Sequence, residues 1–171
     1  MDRRGFLKLL SGFTAGLALS GLEVLAEESY KTSDLSKDSE EMLFARMLYG
    51  EARGCSKEEK IAIAYTALNR NKDSKKWNGE NNLKAVLLKK RQYSCFNEND
   101  PNRAKLMDPS DIKSFKECLE VARGVLNSRY KDPTNGATHY HTKNIKPKWD
   151  YSKLEERNLE GNFKHKFYKE D

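Results

Sequence analysis

From Leu43 onward the chain sets apolar residues at helical spacing. Leu43, Phe44, Met47 and Leu48 fall at i, i+1, i+4 and i+5, which is one stripe of a helix expected to begin near Ser39 or Glu40. Glu51 lies three residues after Leu48 and four after Met47, on that same face, where a carboxylate is costly to bury. Gly54 suits the left-handed residue that closes a helix. The pattern therefore aims one carboxyl inward at a helix end. A carboxyl held among apolar side chains is disposed to keep its proton, which is what a general acid must do. The competing reading is structural, with Glu51 paired to Arg46, Arg53 or a lysine.

A second helix is predicted over Ser56–Arg70, with Ile61, Ala64, Tyr65 and Leu68 as its buried stripe and Ser56/Glu59 as a capping box. Asn69 and Arg70 close it, Asn69 expected as a buried hydrogen-bonding side chain and Arg70 as a charge partner. The polar loop 71–82 follows, with Trp77 expected to pin it to the core, and then a short helix facing Leu83, Val86 and Leu87 inward. Gln92–Phe96 reads as a strand or extended segment, and 97–107 as a long polar loop. The third main helix has the clearest amphipathic pattern, Ile112, Phe115, Leu119, Ala122 and Leu126, opened by Asp108 as N-cap with Pro109 at the first helical position. Asp132–Gly136 is a turn by composition. Ala137–Thr142 then alternates, with Ala137, His139 and His141 on one face and Thr138, Tyr140 and Thr142 on the other. Phe163, His165 and Phe167 alternate likewise and are expected to pair with it, leaving 143–159 as an irregular connection. The fold class is α+β: a small, mainly helical domain with a short antiparallel sheet.

The first quarter follows different rules. Arg3-Arg4 ahead of Gly5–Lys8 and an apolar run to Leu22 looks like a twin-arginine export signal, with Val24-Leu25-Ala26 as its cleavage site. The apolar run is too short and too rich in Gly and Ser for a membrane span. Residues 1–26 are thus expected to be a signal peptide, 27–40 a flexible linker and 41–171 a single domain. Across 171 residues the formal net charge is +6, which suits an anionic polymer such as cell wall. Its lysines and arginines are scattered and form no recognised DNA or RNA motif, so nucleic acid is not expected as a partner.

The candidate chemistry narrows to carboxyls. His139, His141 and His165 have the composition of a zinc site, but the helical His-Glu-x-x-His motif is missing, so no metal is expected. Cys55, Cys95 and Cys118 lie in no local protease signature. Asp108 and Asp132 are explained by capping and turn formation. Asp100, in the NDPNR loop, is the remaining candidate for a second catalytic carboxyl.

YGEARG, IAIAYTALNR, QYSCFNENDPNR, DPTNGATHYH, Trp149 and GNFKHKF occur in this order over roughly Glu41–Tyr168. Together they resemble the SleB-type cell wall hydrolase family, which includes the spore cortex-lytic enzymes. The resemblance implies a lysozyme-like fold and an exported, periplasmic or wall-associated enzyme that needs no cofactor and acts on peptidoglycan strands, with a monomer expected. It implies Glu51 as the catalytic residue and Gln92 and Ser94 as sugar contacts in the segment facing it; Tyr140 and His141 of the predicted strand are added as further candidates. A single essential Glu fits a lytic transglycosylase that leaves 1,6-anhydromuramic ends. Hydrolysis by water, as in a muramidase, and glycan binding without cleavage stay open beside it. Three cysteines in an exported chain allow one disulfide, expected as Cys95–Cys118 with Cys55 left free.

Overall fold

The computed structural model describes residues 30–73, 77 and 82–170. The expected export signal and the first residues of the expected linker lie outside the described residues. Five helices are described here: α1 (Glu40–Ala52), α2 (Lys57–Lys72), α3 (Leu83–Leu88), α4 (Arg103–Met107) and α5 (Ile112–Leu126). A three-stranded antiparallel sheet, β1 (His139–Thr142), β2 (Leu154–Arg157) and β3 (His165–Glu170), has the order β1-β3-β2. The expected α+β class is what the chain adopts.

Helix α1 starts where the pattern puts it because Ser39 caps it, its hydroxyl accepting from the Met42 N–H. Its stripe of Leu43, Phe44, Met47 and Leu48 is wholly buried. Helix α5 supplies the facing layer through Phe115, Cys118, Leu119, Ala122 and Val125. Helix α2 completes the core with Ile63 and with Ala62, Ala64 and Ala67, whose small side chains let helices approach closely, while Ile61 and Leu68 of the expected stripe are only half-buried.

Residues 30–39, expected within a flexible linker, are bound to the domain instead. One reason is Arg46, which is 1% exposed; others are buried Leu35, the Thr32 N–H donating to the Met107 carbonyl at 2.9 Å, and Lys84, which donates to the Ser36 and Asp38 carbonyls. Arg46 Nε donates to Asp38 at 2.6 Å, one Nη donates to the Tyr30 carbonyl at 2.6 Å, and the other donates to the Leu106 carbonyl. A buried guanidinium must be fully partnered, and breaking such a pair costs about 3–5 kcal/mol. Arg46 therefore ties this segment and α4 to α1, with the Tyr30 ring packed on Phe115 at 4.9 Å.

Four other expectations shift. The third main helix opens at Asp111, whose carboxylate accepts from the Ser114 N–H, so Asp108 and Pro109 precede it. Gln92–Phe96 forms a 3-10 turn over Ser94–Phe96 rather than a strand. The loop after it contains α4, and the connection 143–159 contains β2. Glu155 and Glu156 are both exposed there, so β2 carries no apolar alternation to read. The pairing of β1 with β3 is as expected, Tyr140 opposite Phe167 and Thr142 opposite His165.

Candidate active site

Glu51 sits in the last turn of α1, half-buried at the end of the apolar stripe. Neither Arg46 nor Arg53 pairs with it. Arg46 holds Asp38, and Arg53 donates to the Tyr49 carbonyl at 3.4 Å and to Asn102 at 3.5 Å. The Tyr140 hydroxyl reaches it from β1 and donates to Glu51 Oε2 at 3.0 Å. Burial pushes the Tyr140 phenol well above its ordinary range, and the Glu51 carboxylate adds to that push. The phenol therefore stays protonated and acts as a donor. Gly54 does not close α1 in a left-handed conformation; Arg53 is the C-cap with φ −55°.

The segment expected to face Glu51 lies directly on α1. A Cβ at Gly50 would stand 2.6 Å from Cys95 Cβ and 2.8 Å from its Sγ, so glycine is required for this approach. Cys95 is buried, and its thiol is pushed far up by burial, with Glu51 and then Asp100 adding to the shift. Both carboxylates thus act on one thiol. Tyr93 is buried behind them with its hydroxyl unpartnered. Burial raises its phenol, the Arg70 guanidinium opposes that rise, and the Glu51 charge adds to it. Sequence reading passed over Tyr93; the signal was its place between two candidate contacts in QYSCF.

Asn69 and Arg70 hold the other wall. Asn69 Nδ2 donates to Asp132 at 2.9 Å and to the Ala137 carbonyl at 3.0 Å. Arg70 Nε donates to the Thr138 carbonyl at 2.6 Å, and its guanidinium lies over the rings of Trp77 and Tyr93 at 4.7 and 5.3 Å. Asp132 also accepts from Thr134 and from the Gly136 N–H. The end of α2 therefore fixes the start of β1, and with it the reach of Tyr140 to Glu51.

The remaining candidates divide. Gln92 is half-buried with its amide nitrogen unpartnered, and Ser94 is exposed on the 3-10 turn. His141 points to the opposite face of the sheet from Tyr140, because side chains alternate along a strand. It stacks on Tyr168 at 5.4 Å, with its Nε2 3.1 Å from the Tyr168 hydroxyl. His139 shares that face, between Trp77 at 5.2 Å and Trp149 at 5.1 Å. His165 is buried on the inner side, its ring 5.6 Å from Tyr140, so the three histidines do not form one cluster.

All three cysteines are free, so the expected Cys95–Cys118 bridge is not formed. The two thiols occupy different surroundings. Cys95 meets Gly50 and Glu51, while Cys118 lies near Lys60, Glu117 and Cys55. Burial pushes the Cys118 thiol up to about 12. It pushes Cys55 up to about 11, Glu59 adding to the shift.

The arrangement can deliver a proton. One oxygen of a half-buried carboxyl is fixed by a neutral phenol, and the carboxyl keeps a path to solvent. No helix among the described residues is long and apolar enough to cross a membrane.

No curated protein and no solved structure matches the chain. The family described as Cell Wall Hydrolase matches residues 54–168, a span that holds α2, the QYSCF segment, β1, β2 and β3 as far as Tyr168 and begins just after Glu51. With that match over more than half its length, the chain belongs to the cell wall hydrolase family and is an enzyme acting on peptidoglycan.

Proposed function

We propose that the enzyme is a lytic transglycosylase that cuts the β-1,4 bond between N-acetylmuramic acid and N-acetylglucosamine, with Glu51 as its acid and base. The observation that carries this reading is the single carboxyl at the end of α1, oriented by the Tyr140 hydroxyl at 3.0 Å. Glu51 gives its proton to the glycosidic oxygen as the bond from that oxygen to C1 of the muramic acid breaks. The glucosamine then leaves with a free 4-hydroxyl. The Glu51 carboxylate next takes the proton of the muramic 6-hydroxyl, whose oxygen closes onto C1. The product is a 1,6-anhydromuramic end, and Glu51 is returned protonated. No protein nucleophile and no water enter the step.

Gln92 and Ser94 are proposed as sugar contacts from the segment that packs on α1. Tyr140 is assigned to orienting Glu51 rather than to binding sugar. An exported, monomeric enzyme working on the wall, whose reaction draws on no cofactor, is part of the same proposal, as is delivery by the twin-arginine route.

A second reading has one specific support. The Asp100 charge reaches the same Cys95 thiol as the Glu51 charge. A water activated by Asp100 would make the enzyme a two-carboxyl muramidase. Mass spectrometry of the soluble muropeptides separates the two. Transglycosylation leaves anhydro ends lacking one water and an Asp100→Asn variant with substantial activity. Reducing muramic ends together with an inactive Asp100→Asn variant would establish the muramidase.

A further inference from the structure

Cys55, Glu59 and His165 bring a thiol, a carboxylate and an imidazole together outside the catalytic machinery. Their donor atoms all lie within 4.8 Å of one another. Cys55 immediately precedes the Ser56 N-cap of α2, Glu59 is in the first turn of α2, and His165 is the first residue of β3. We propose that these three residues form a structural site for a zinc-type divalent cation, bound by Cys55 Sγ, a Glu59 carboxylate oxygen and one ring nitrogen of His165.

The donor set is the first reason. Thiolate, imidazole and carboxylate are the ligands zinc takes, at roughly 2.0–2.3 Å, which places tetrahedral ligands roughly 3.5 Å apart. Donors already within 4.8 Å of one another close to that spacing by side-chain rotation. Charge is the second reason. Glu59 is 1% exposed, and among the described residues no lysine or arginine forms a salt bridge with it. A dication with one thiolate, one carboxylate and a neutral imidazole sums to zero, the favourable total for a desolvated site.

Preorganisation is the third reason. The N–H groups of Lys164 and His165 donate to Glu59 Oε1 at 2.6 and 2.8 Å, and His165 Nδ1 lies 2.8 Å from the same oxygen. These contacts all fall on Oε1, so Oε2 is the oxygen left to meet the cation. Glu59 does not complete a reciprocal capping box: Ser56 accepts from the Glu59 N–H, while the Glu59 carboxylate reaches across to β3. The nearby cations are engaged elsewhere, Lys60 with Glu117 at 3.1 Å and Lys164 with the Gly54 carbonyl at 2.6 Å. Cys55 is half-buried, which gives the ion an entry path and an outer position for water.

Binding releases the Cys55 thiol proton to solvent and forms the sulfur–metal bond, with no change of oxidation state. The ion would pin the turn after Glu51 to β3. His165 there packs against Tyr140, the residue that orients Glu51. The inference is independent of which glycan product the enzyme makes.

The test is a titration of the metal-free full-length protein with Co2+, followed by thiolate-to-cobalt charge-transfer absorption. One equivalent should bind and give that band, and Zn2+ should displace it. Cys55→Ser, at a half-buried position, should fold and lose the band; Cys95→Ser should keep it. Glu59→Gln, if folded, should weaken Zn2+ binding at least about tenfold. Absence of the band in wild type, its persistence in Cys55→Ser or its loss in Cys95→Ser would each overturn the assignment.

Discussion

Tyr140→Phe removes one oxygen and keeps the ring. That oxygen donates to Glu51 Oε2 at 3.0 Å, and the phenol remains protonated because burial and the Glu51 charge hold it so. As Glu51 gives up its proton it becomes a carboxylate, and a hydrogen bond to a charged group contributes about 1.5–3 kcal/mol. If orienting Glu51 is the role of this bond, its loss appears in the chemical step. At about 1.4 kcal/mol per tenfold, the turnover rate should fall roughly 10–150-fold. The KM should change little, because the ring still packs against His165 and Phe167. Stability should fall by no more than about 1 kcal/mol, since Glu51 is half-buried and water can replace the phenol. The assay is muropeptide release from purified peptidoglycan, with thermal unfolding measured on the same samples. Turnover within twofold of wild type would refute an orienting role. A rate loss fully matched by an unfolded fraction would also refute it.

Gly50→Ala places a Cβ 2.6 Å from Cys95 Cβ and 3.0 Å from Leu106. Overpacking of this kind costs about 1–3 kcal/mol, so the melting temperature should drop by roughly 3–10 °C, with activity reduced because the QYSCF segment moves off α1; an unchanged melting temperature would contradict the close approach. Asp132 is partly desolvated, which alone would raise its carboxyl, but bonds from Thr134, Asn69 and Gly136 hold it below the usual value. A depressed native pKa contributes stability above the unfolded value, and that contribution is lost as pH falls through the folded one. Asp132→Asn should therefore cost about 2–3 kcal/mol at pH 7, measured by urea unfolding, and the gap to wild type should narrow below about pH 4. A gap that widens in acid would reverse the assignment.

Much of the helical frame could be read because burial follows local pattern there. Leu43, Phe44, Met47 and Leu48 are buried as their spacing implies, and Ser39 and Ser56 cap the helices they precede. The orientation of Glu51 was legible for the same reason. What was not legible depends on contacts between distant parts of the chain. The attachment of residues 30–39 depends on such contacts, among them Arg46 with its three partners at Tyr30, Asp38 and Leu106 and Lys84 with the Ser36 and Asp38 carbonyls. The role of Tyr140 depends on a reach from β1 to α1, and a strand's alternation places it on the inner face without naming its partner. Alternation also separates Tyr140 from His141, so two neighbouring candidates could not both face one site. The Glu59 carboxylate was read as a cap of its own helix, and it serves β3 instead because two backbone N–H groups there lie within its reach.

Glu51→Gln tests the central claim most directly. The amide keeps the shape of the side chain and can still accept from Tyr140, but it delivers no proton. Release of soluble muropeptides from purified peptidoglycan should fall by at least about 10²–10⁴-fold, while the melting temperature and sedimentation with insoluble wall stay at wild-type values. A folded Glu51→Gln enzyme that releases muropeptides at near wild-type rate would contradict the account.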